Sequence, residues 1–435
     1  MNRNHTICII GTGYVGMASA IGFAELGHRV TGYDIITERI RALAAGTTPY
    51  YEDGIEMALR KHLDAGRISF HESLEDAVRD ARFVVIAVGT PSRDDGSADV
   101  RAVEAAIDAL APLVAEDTVC ILRSTVPPGT TERLAERCRF DLIFAPEFLR
   151  EGSAVSDFLN PDRIVIGAES LEAATEYAEL LRALDRPVLH TATRDAELIK
   201  VSSNAFLALK ISFANEIANL CDAVGADALE VLRGVGHDRR IGQAFLGPGI
   251  GFGGPCFDKD VRGLAHVAGA FGSGSELLEA TLRVNHTQPH RIVDLLESEL
   301  GGLAGRHIAV WGLAFKGGTD DVRDSLALRI IDDLIARGAA PLAYDPAVTG
   351  TRPEIRCKRS DTALGALRNA DALLVLTDWP QFRQIAPWAI AERLRGDVVV
   401  DGRNLLDPDA IAAAGLRYRG VGRRRTPALP VAAAS

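Results

Sequence analysis

Cys256 lies in a glycine-rich stretch whose residue types could support covalent catalysis. Gly251, Gly253 and Gly254 precede it, and residues without side chains leave the backbone exposed and able to approach a bulky polar ligand. Pro255 suits the first turn of a helix. Cys256 would then lie at the positive end of that helix, where a thiolate is favoured over a thiol.

Two charged residues follow the cysteine at helical spacing. Lys259 and Asp260 are three and four positions further on, so both side chains would project to the face of Cys256. A nucleophile, a cation and a carboxylate around one pocket are typical of covalent catalysis. The alternative is a buried structural cysteine beside a loop.

A second motif, Gly11-Thr-Gly-Tyr-Val-Gly16, follows a predicted strand and opens a predicted helix. In the dinucleotide fingerprint Gly11 allows the turn, Gly13 lets a pyrophosphate approach, and Gly16 lets the helix pack on the strand. Asp34 ends the second strand, where its carboxylate can accept hydrogen bonds from both ribose hydroxyls. The same charge would repel a 2′-phosphate, so the sequence predicts NAD rather than NADP.

Other polar residues have two open interpretations. Lys200 and Asn204 lie one helical turn apart, either on a solvated face or in a buried helix, where a lysine needs a partner or a function. Glu147 and Glu151 follow a strand, at the edge where doubly wound sheets bind ligands. Loops 124–129 and 315–323 also follow strands, and each alone could be an ordinary surface turn.

Apolar runs and helical periodicity predict the elements that position these residues. Predicted strands are Thr6–Ile10, Arg29–Asp34, Phe83–Val88, Val119–Leu122, Leu142–Phe144, Arg163–Gly167, His307–Gly312, Leu342–Asp345, Asp371–Thr377 and Asp397–Asp401. Predicted helices are Tyr14–Leu26, Asp195–Val224 closed by Gly225, a helical region from Pro255 to about Glu299, and Ser325–Arg337.

This order predicts an α/β protein with two Rossmann-like, doubly wound parallel-sheet domains joined by an all-helical central dimerisation region. We expect a cofactor domain at 1–194, a helical domain at 195–300 and a second α/β domain at 301–421. Residues 422–435, with three arginines and two prolines, are predicted to be disordered.

Composition and charge argue against several classes of partner and site. The 435 residues are 47% hydrophobic, enough for two or three packed domains, and the net charge of -11 argues against nucleic acid or an anionic membrane as a partner. The six cysteines are spread singly without metal-ligand spacing, so we expect a reducing compartment and no metal site. Without a signal-peptide pattern, we expect a cytoplasmic protein.

Together the motifs resemble the UDP-glucose/GDP-mannose dehydrogenase family over nearly the whole chain. The signatures in order are Gly-Tyr-Val-Gly at 13–16, Gly-Thr-Pro at 89–91, Ser-Thr-Val-Pro-Pro-Gly-Thr at 124–130, Pro-Glu-Phe-Leu-Arg-Glu-Gly at 146–152, Asn-Pro-Asp-Arg at 160–163, Asn-Ala-Phe-Leu-Ala-Leu-Lys at 204–210, Gly-Gly-Pro-Cys-Phe at 253–257 and Ala-Phe-Lys at 314–316. The segments 238–242 and 160–163 look like the UDP-glucose branch.

The resemblance implies a homodimer that oxidises a sugar C6 alcohol to a carboxylate, reducing two NAD molecules in succession. It implies that Cys256 captures the C6 aldehyde, that Lys200 and Asn204 stabilise the reacting oxygen, and that Asp260, Thr125 and Glu147 order water and handle protons. Residues implied to bind the cofactor are Gly11, Gly13, Tyr14, Val15, Gly16, Asp34, Arg39, Thr90, Thr125, Glu151, Lys259 and Arg323. Residues implied to bind UDP-glucose are Glu147, Phe148, Leu149, Arg150, Lys200, Asn204, Arg240, Phe245, Gly249, Gly253, Lys316 and Arg403.

Three alternatives stay open. The chain could oxidise another nucleotide sugar, such as GDP-mannose or a UDP-linked relative. Asp258, Ala145 and Leu326 depart from the residues usual in the family and leave the exact sugar open. A two-electron hydroxyacid dehydrogenase would need neither Cys256 nor a third domain. A non-catalytic nucleotide-binding regulator would be expected to lack the nucleophile or the lysine.

Overall fold

The computed structural model describes residues 4–423 and forms strands where short runs of apolar and β-branched residues occur. The strands are β1 Thr6–Ile10, β2 Arg29–Tyr33, β3 Ile68–Phe70, β4 Phe83–Ile86, β5 Val119–Leu122, β6 Asp141–Phe144, β7 Ile164–Gly167, β8 Val188–Thr191, β9 His307–Trp311, β10 Ala340–Tyr344, β11 Lys358–Arg359, β12 Ala372–Val375, β13 Val398–Asp401 and β14 Arg417–Gly420.

Helices alternate with the strands at both ends of the described chain and follow one another in its middle. They are α1 Tyr14–Glu25, α2 Thr37–Ala44, α3 Ile55–Asp64, α4 Leu74–Val78, α5 Arg101–Leu110, α6 Thr130–Ala135, α7 Ala154–Leu159, α8 Leu171–Leu180, α9 Thr193–Val224, α10 Ala228–Gly236, α11 Phe257–Ala270, α12 Glu276–Leu300, α13 Leu326–Ala336, α14 Ala363–Ala366, α15 Pro380–Arg383, α16 Pro387–Arg393 and α17 Pro408–Ala413.

The chain divides into two compact units. The first contains the residues up to Asn204 together with Arg262–Gly274, and the second contains Ala205–Val261 together with the residues from Ser275 onward. Residues of the helical region predicted at 195–300 therefore belong to both units. The domain boundaries at 194 and 300 stay a prediction.

The first unit is built on an eight-stranded sheet in the order β3-β2-β1-β4-β5-β6-β7-β8. Successive side chains of β1 enter different cores: Ile7 and Ile9 pack on one face of the sheet, and Cys8 and Ile10 on the other. The predicted doubly wound α/β fold is thus confirmed. The pairing is parallel except between β6 and β7, which run antiparallel.

The second unit contains a six-stranded, wholly parallel sheet in the order β11-β10-β9-β12-β13-β14. Here too the side chains of the first strand, β9, pack into two cores. Ile308 and Val310 lie on one face of the sheet, and Ala309 and Trp311 lie on the other. The central strands are buried on both faces, as expected when helices cover both sides of a parallel sheet.

The helical region differs from its prediction in two places. The predicted continuous region from Pro255 to Glu299 is two helices, α11 and α12, separated by Phe271-Gly-Ser-Gly-Ser275. Two glycines in five residues disfavour helix there. The first helical residue of α11 is Phe257 rather than Pro255.

The predicted disordered tail begins too early. The backbone carbonyl of Gly422 accepts a hydrogen bond from the N–H of Ala228 (2.8 Å), and Arg423 Nε donates to Asp227 (2.9 Å). These two residues are therefore ordered. The rest of the segment 422–435 lies outside the described residues.

Candidate active site

The turn after β1 carries three glycines with distinct steric roles. Gly11 has φ of 87°, and a Cβ there would lie 2.6 Å from the carbonyl oxygen of Ala87. A Cβ at Gly16 would lie 1.8 Å from the carbonyl oxygen of Gly11, so α1 packs too closely on the turn for a side chain. A Cβ at Gly13 would meet nothing within 4 Å. The N-terminal end of α1 therefore leaves open space for a pyrophosphate.

Asp34 follows β2, and the same turn fixes its carboxylate. Oδ2 accepts hydrogen bonds from the N–H of Thr12 (2.8 Å) and from Arg39 Nη1 (2.8 Å), and Oδ1 accepts one from the N–H of Ile36 (3.0 Å). Burial alone would raise the pKa of Asp34, but these hydrogen bonds outweigh it and hold the pKa below its ordinary range. The side chain is therefore an anion at neutral pH.

Neighbouring loops carry more of the residues predicted to bind the cofactor. Tyr14 and Val15 form the first turn of α1, and the Tyr14 ring lies against Tyr50 with 3.7 Å between centroids. Thr90, after β4, donates from Oγ1 to the carbonyl oxygen of Thr125, after β5 (2.8 Å). These loops share the carboxyl edge of the first sheet, where doubly wound folds bind ligands.

A buried ion pair lies after β6. Lys200 Nζ donates to the backbone oxygen of Glu147 (2.7 Å) and to its Oε1 (2.9 Å), while Oε2 accepts from the N–H of Leu149 (2.6 Å). Burial would raise the pKa of Glu147, but the Lys200 charge and these hydrogen bonds lower it below its ordinary range. Lys200 is therefore a buried, partnered cation, and Asn204, one turn further along α9, is also buried.

The rest of the 146–152 segment is less enclosed. The Phe148 ring lies under the guanidinium of Arg163 at 4.1 Å, a cation–π contact. Arg150 is tied to Asp157 through Nε (3.0 Å) and Nη2 (2.6 Å). Glu151 is half-buried in the turn before α7.

Cys256 lies immediately before α11 in the second unit. Its carbonyl oxygen accepts a hydrogen bond from the N–H of Asp260 (2.9 Å), so it caps the N-terminal end of the helix. The residue is exposed. Lys259 Nζ donates to Asp260 Oδ1 (2.5 Å), and the Asp260 carboxylate is buried. An exposed thiol at a helix N-terminus, beside a cation and a carboxylate, could act as a nucleophile.

The glycines before Cys256 do not expose the backbone as predicted. Cβ atoms at Gly249, Gly251 and Gly253 would lie 2.9 Å, 2.5 Å and 2.6 Å from Gly402 O, Asn285 Oδ1 and Asp324 O. Gly249, Gly251 and Gly254 are themselves buried. The glycines are needed because the segment packs tightly against other parts of its own unit.

Basic residues of the second sheet's loops differ in burial. Arg403 is half-buried and donates from Nε to Leu376 O (2.8 Å) and from Nη2 to Phe315 O (2.9 Å). Burial lowers the pKa of Arg403, although nearby carboxylates oppose the shift. Lys316 Nζ lies 5.7 Å from the Phe315 ring centroid. Arg323 is largely exposed and bonds both oxygens of Asp321.

Arg240 and Phe245 lie between α10 and Cys256. The exposed Arg240 is held by Asp238 through Nη2 (2.6 Å). Phe245 has a left-handed backbone with φ of 64°, and its ring centroid lies 6.2 Å from that of Phe257. The residues predicted to act together thus belong to different units, with Lys200 and Glu147 in the first and Cys256 and Asp260 in the second.

Family profiles cover most of the chain in three consecutive blocks. The profiles of the UDP-glucose/GDP-mannose dehydrogenase family match residues 5–185 as the NAD binding domain, 194–287 as the central domain and 309–408 as the UDP binding domain. The chain belongs to this family.

Similar proteins agree along nearly their full lengths. UDP-glucose 6-dehydrogenase YwqF of Bacillus subtilis is 41% identical, covering 96% of this chain and 98% of the relative, and a UDP-glucose 6-dehydrogenase of Pseudomonas aeruginosa is 42% identical with the same coverage. The solved structure of a UDP-glucose dehydrogenase from Pyrobaculum islandicum has a TM-score of 0.89 at 41% identity, covering 97% of this chain and 98% of that one. A UDP-D-ManNAc dehydrogenase from Pyrococcus horikoshii has a TM-score of 0.86 at 30% identity, covering 97% and 100%.

As a member of the family, the chain is an NAD-dependent nucleotide-sugar dehydrogenase. The first sheet fits NAD, because Gly13 leaves space at the N-terminal end of α1 and ionised Asp34 follows β2. No group of three or more His, Cys, Asp or Glu in residues 4–423 could hold a metal ion. Over the same range no helix is long and apolar enough to cross a bilayer.

The structure adds three buried amides that the sequence analysis did not single out. Asn215 of α9 and Asn285 and Gln288 of α12 form hydrogen bonds with the segment before Cys256. Asn285 and Gln288 are three positions apart, so they share one helix face. In the sequence, the signal for these amides is the helical spacing that places Asn285 and Gln288 on the same face as the apolar Ile292 and Leu296.

Proposed function

We propose that the chain catalyses the NAD-dependent four-electron oxidation of UDP-glucose at C6 to UDP-glucuronate. The observation that carries the proposal is the exposed Cys256 thiol at the N-terminal end of α11. A thiol nucleophile can hold an aldehyde covalently for a second oxidation. A dehydrogenase that stops at the aldehyde does not need one.

Bound NAD supplies a hydride acceptor for each of the two oxidations. After C6 has become an aldehyde, Cys256 Sγ bonds to C6 and gives a thiohemiacetal. Loss of the second hydride from C6 leaves a thioester. Water then attacks C6 and the C–S bond breaks. The Cys256 thiol is regenerated, and the carboxylate product is released. We assign the ordering of this water and the transfer of protons to Asp260, Thr125 and Glu147.

Lys200 has the properties needed to stabilise negative charge on the C6 oxygen. Its ammonium group is buried and held at one point by Glu147, and a fixed charge in a site with little water requires no reorganisation during the reaction. Asn204, one turn away and also buried, is assigned to hold the same oxygen.

The similar proteins favour UDP-glucose as the substrate. Two relatives and a solved structure that are 41–42% identical are named for UDP-glucose, and the UDP-D-ManNAc enzyme is 30% identical. A GDP-mannose dehydrogenase from Pseudomonas aeruginosa is 28% identical with a TM-score of 0.53. The alternatives are therefore oxidation of another UDP-sugar or of GDP-mannose.

A panel assay tests the choice of sugar. Purified enzyme with excess NAD is given UDP-glucose, UDP-galactose, UDP-N-acetyl-hexosamines or GDP-mannose, and NADH is followed by absorbance. We expect the highest kcat/KM with UDP-glucose. A higher value with another sugar would reassign the substrate, and no NADH with any sugar would favour a non-catalytic regulator.

We also propose that the chain forms a twofold dimer through α9. Phe206, Phe213 and Leu220 are exposed at intervals of seven residues, two helical turns apart, and Val224 extends the same stripe. Water-exposed apolar area of this kind favours packing against a second copy. By the resemblance to the family, exposed Arg240 would reach the sugar nucleotide of the partner.

Mixed dimers test the shared site. Arg240→Ala should raise the KM for UDP-glucose without changing NAD binding, and Arg239→Ala serves as the neighbouring control. Combining Arg240→Ala chains with Cys256→Ala chains should restore part of the activity, because one site of each mixed dimer keeps both residues. A monomer by light scattering, or no activity in verified mixed dimers, would contradict the arrangement.

We also propose a compartment for the enzyme and a use for its product. The six cysteines, all within residues 4–423, form no disulfide, which favours a reducing compartment. We therefore place the enzyme in the cytoplasm, where UDP-glucuronate would supply cell-surface polysaccharide. Deleting the gene should lower the uronic acid content of that polysaccharide. Unchanged uronic acid would contradict this role while leaving the reaction itself in place.

A further inference from the structure

Three buried amide side chains hold the backbone of residues 249–252, which leads to Cys256. Asn215 Oδ1 accepts from the N–H of Gly249 (2.7 Å), and Gln288 Nε2 donates to the carbonyl oxygen of Gly249 (2.9 Å). Asn285 Oδ1 accepts from the N–H of Phe252 (2.7 Å), and its Nδ2 donates to the carbonyl oxygen of Phe252 (2.9 Å). We call Asn215, Asn285 and Gln288 the amide clamp.

The clamp is buried and made of one chemical group. Asn215, Asn285 and Gln288 are each at most 4% exposed. An amide carries both a donor and an acceptor, so one side chain can satisfy both the N–H and the C=O of one residue. Asn285 does this for Phe252, and Gln288 and Asn215 together do it for Gly249. A carboxylate only accepts and an ammonium only donates, and a hydroxyl does both but from a single atom.

Contacts continue from the clamp to the cysteine. A Cβ at Gly253 would lie 2.6 Å from Asp324 O, and a Cβ at Gly254 would lie 2.8 Å from the Phe315 ring. The carbonyl oxygen of Cys256 then accepts the hydrogen bond that caps α11. The backbone from Gly249 to Cys256 therefore has little room to shift, and its first part is fixed by these hydrogen bonds together with the packing of buried Ile250 and Phe252.

We propose that Asn285, Gln288 and Asn215 are positioning residues that hold residues 249–254, the glycine segment, and thereby set the place of Cys256 at the N-terminal end of α11. The role of Cys256 as nucleophile rests on the proposed function. The clamp residues touch backbone atoms of this chain in the second unit, so they act through Cys256. Loosening the segment should move Sγ away from the geometry in which it attacks C6.

Ser212→Ala is a matched control. Ser212 Oγ donates to the carbonyl oxygen of Thr281 (2.8 Å). This bond is buried like those of the clamp and joins α9 to α12, the helices that carry the clamp, but it does not touch the glycine segment. Its loss should lower the melting temperature as a lost clamp bond does. A difference between the clamp variants and this control therefore reports positioning rather than stability.

Two measurements are made on Asn285→Ala, Gln288→Ala and Ser212→Ala. The first is steady-state oxidation of UDP-glucose, for which we expect kcat to fall about 10²-fold in Asn285→Ala, because small misplacements of reacting groups cost this much. Gln288→Ala, which loses one bond to the segment rather than two, should fall less, and Ser212→Ala should match wild type. The KM for UDP-glucose and the Kd for NAD should stay within about threefold in all three.

The second measurement is the rate at which iodoacetamide alkylates Cys256, followed by peptide mass spectrometry. Cys256 is already exposed, so access does not limit the rate, and losing its alignment with α11 should leave less thiolate and slow alkylation several-fold in Asn285→Ala. Equal kcat and equal alkylation in the clamp variants and Ser212→Ala would overturn the proposal. If Asn285→Ala does not fold, Gln288→Ala decides the outcome.

The alkylation arm separates this proposal from the proposed function. If wild type fails to oxidise UDP-glucose, the proposed function is wrong. The alkylation rate of Cys256 alone then tests the clamp proposal. If wild type oxidises UDP-glucose and alkylation of Cys256 is unchanged in both clamp variants, the clamp proposal is wrong and the proposed function stands.

Discussion

The two sheets begin with the same arrangement of strand, glycine, strand and aspartate. The N–H of Gly11 donates to Tyr33 O (2.9 Å) in the first, and the N–H of Gly312 donates to Tyr344 O (2.7 Å) in the second. Both glycines have positive φ, 87° and 105°. An aspartate follows the second strand of each sheet and accepts a hydrogen bond of 2.8 Å from a backbone N–H of the first turn.

The turns then diverge. After Gly11 the helix α1 begins at Tyr14, whereas after Gly312 the helix α13 begins only at Leu326. Asp345 of the second turn also accepts from the indole Nε1 of buried Trp379 (3.3 Å), while Asp34 of the first meets partly exposed Arg39. A short turn into a helix suits a pyrophosphate, and a carboxylate at the end of the second strand suits a ribose. The longer loop carries Lys316 and Arg323 instead.

Alanine substitutions of the glycines in the two turns should have the largest effects on stability and NAD binding. Gly16→Ala forces a Cβ to 1.8 Å from a backbone oxygen and should cost about 3 kcal/mol of stability or more. NAD binding should be lost with it. Gly13→Ala meets nothing within 4 Å, so its melting temperature should equal that of wild type while its Kd for NAD rises.

The second turn supplies the control. A Cβ at Gly312 would lie 1.9 Å from Thr377 Oγ1, so Gly312→Ala should lower the melting temperature while the folded protein binds NAD normally. Calorimetry and NAD titration check both turns. Normal NAD affinity in Gly13→Ala would remove the first turn as the cofactor site.

A lysine in the first unit and an arginine in the second extend the comparison. Lys200 in the first unit is bound to a carboxylate, and Arg403 in the second is bound to two backbone carbonyls. Lys200→Ala should lower kcat by about 10²-fold, the effect of about 3 kcal/mol on the barrier. Arg403→Ala should instead raise the KM for the sugar nucleotide. Steady-state kinetics distinguish the two, and surface Lys61→Ala is the control. An unchanged kcat in Lys200→Ala would leave the lysine a structural role.

The two aspartates should differ in cofactor choice. Asp34→Asn keeps the shape but removes the charge that repels a 2′-phosphate, and charged hydrogen bonds are worth about 1.5–3 kcal/mol. The ratio of kcat/KM for NAD to that for NADP should therefore fall about tenfold or more. Asp345→Asn should lower stability slightly and leave this ratio unchanged. Equal ratios in both variants would contradict the assignment of Asp34.

Acid should weaken the first unit through Glu147. Because its pKa is lowered in the folded state, its contribution to stability is fully present above its ordinary pKa of 4.5 and is lost as the pH falls through the depressed value. The difference in unfolding free energy between wild type and Glu147→Gln should be constant above pH 4.5 and shrink below it. A difference that grows on acidification would mean that the carboxylate pKa is raised instead.

Much of the fold followed from local sequence. The buried strands were predicted because each is a continuous apolar run, and Val119–Leu122 matches residue for residue. Val188–Thr191 and Arg417–Gly420 were missed, since edge strands carry polar or exposed residues without that pattern. Periodicity also gives no strand direction, so the antiparallel pairing of β6 and β7 was not predicted.

The candidate site was predictable where one motif carries it. The three glycines after β1 have the steric environments expected from the fingerprint. The partner of Lys200 lies 53 residues away in sequence, so only the fold identifies it as Glu147. The glycines before Cys256 were interpreted as exposed because the sequence does not show which parts of the chain pack against them.

The stoichiometry of oxidation tests the central claim most directly. A limiting, known amount of UDP-glucose is converted to completion with excess NAD, and NADH is measured against UDP-glucuronate. We predict two NADH per UDP-glucose for wild type and loss of acid formation in Cys256→Ser, whose hydroxyl is a weaker nucleophile and a poorer leaving group. One NADH per sugar, or near-normal acid formation by Cys256→Ser, would contradict the account.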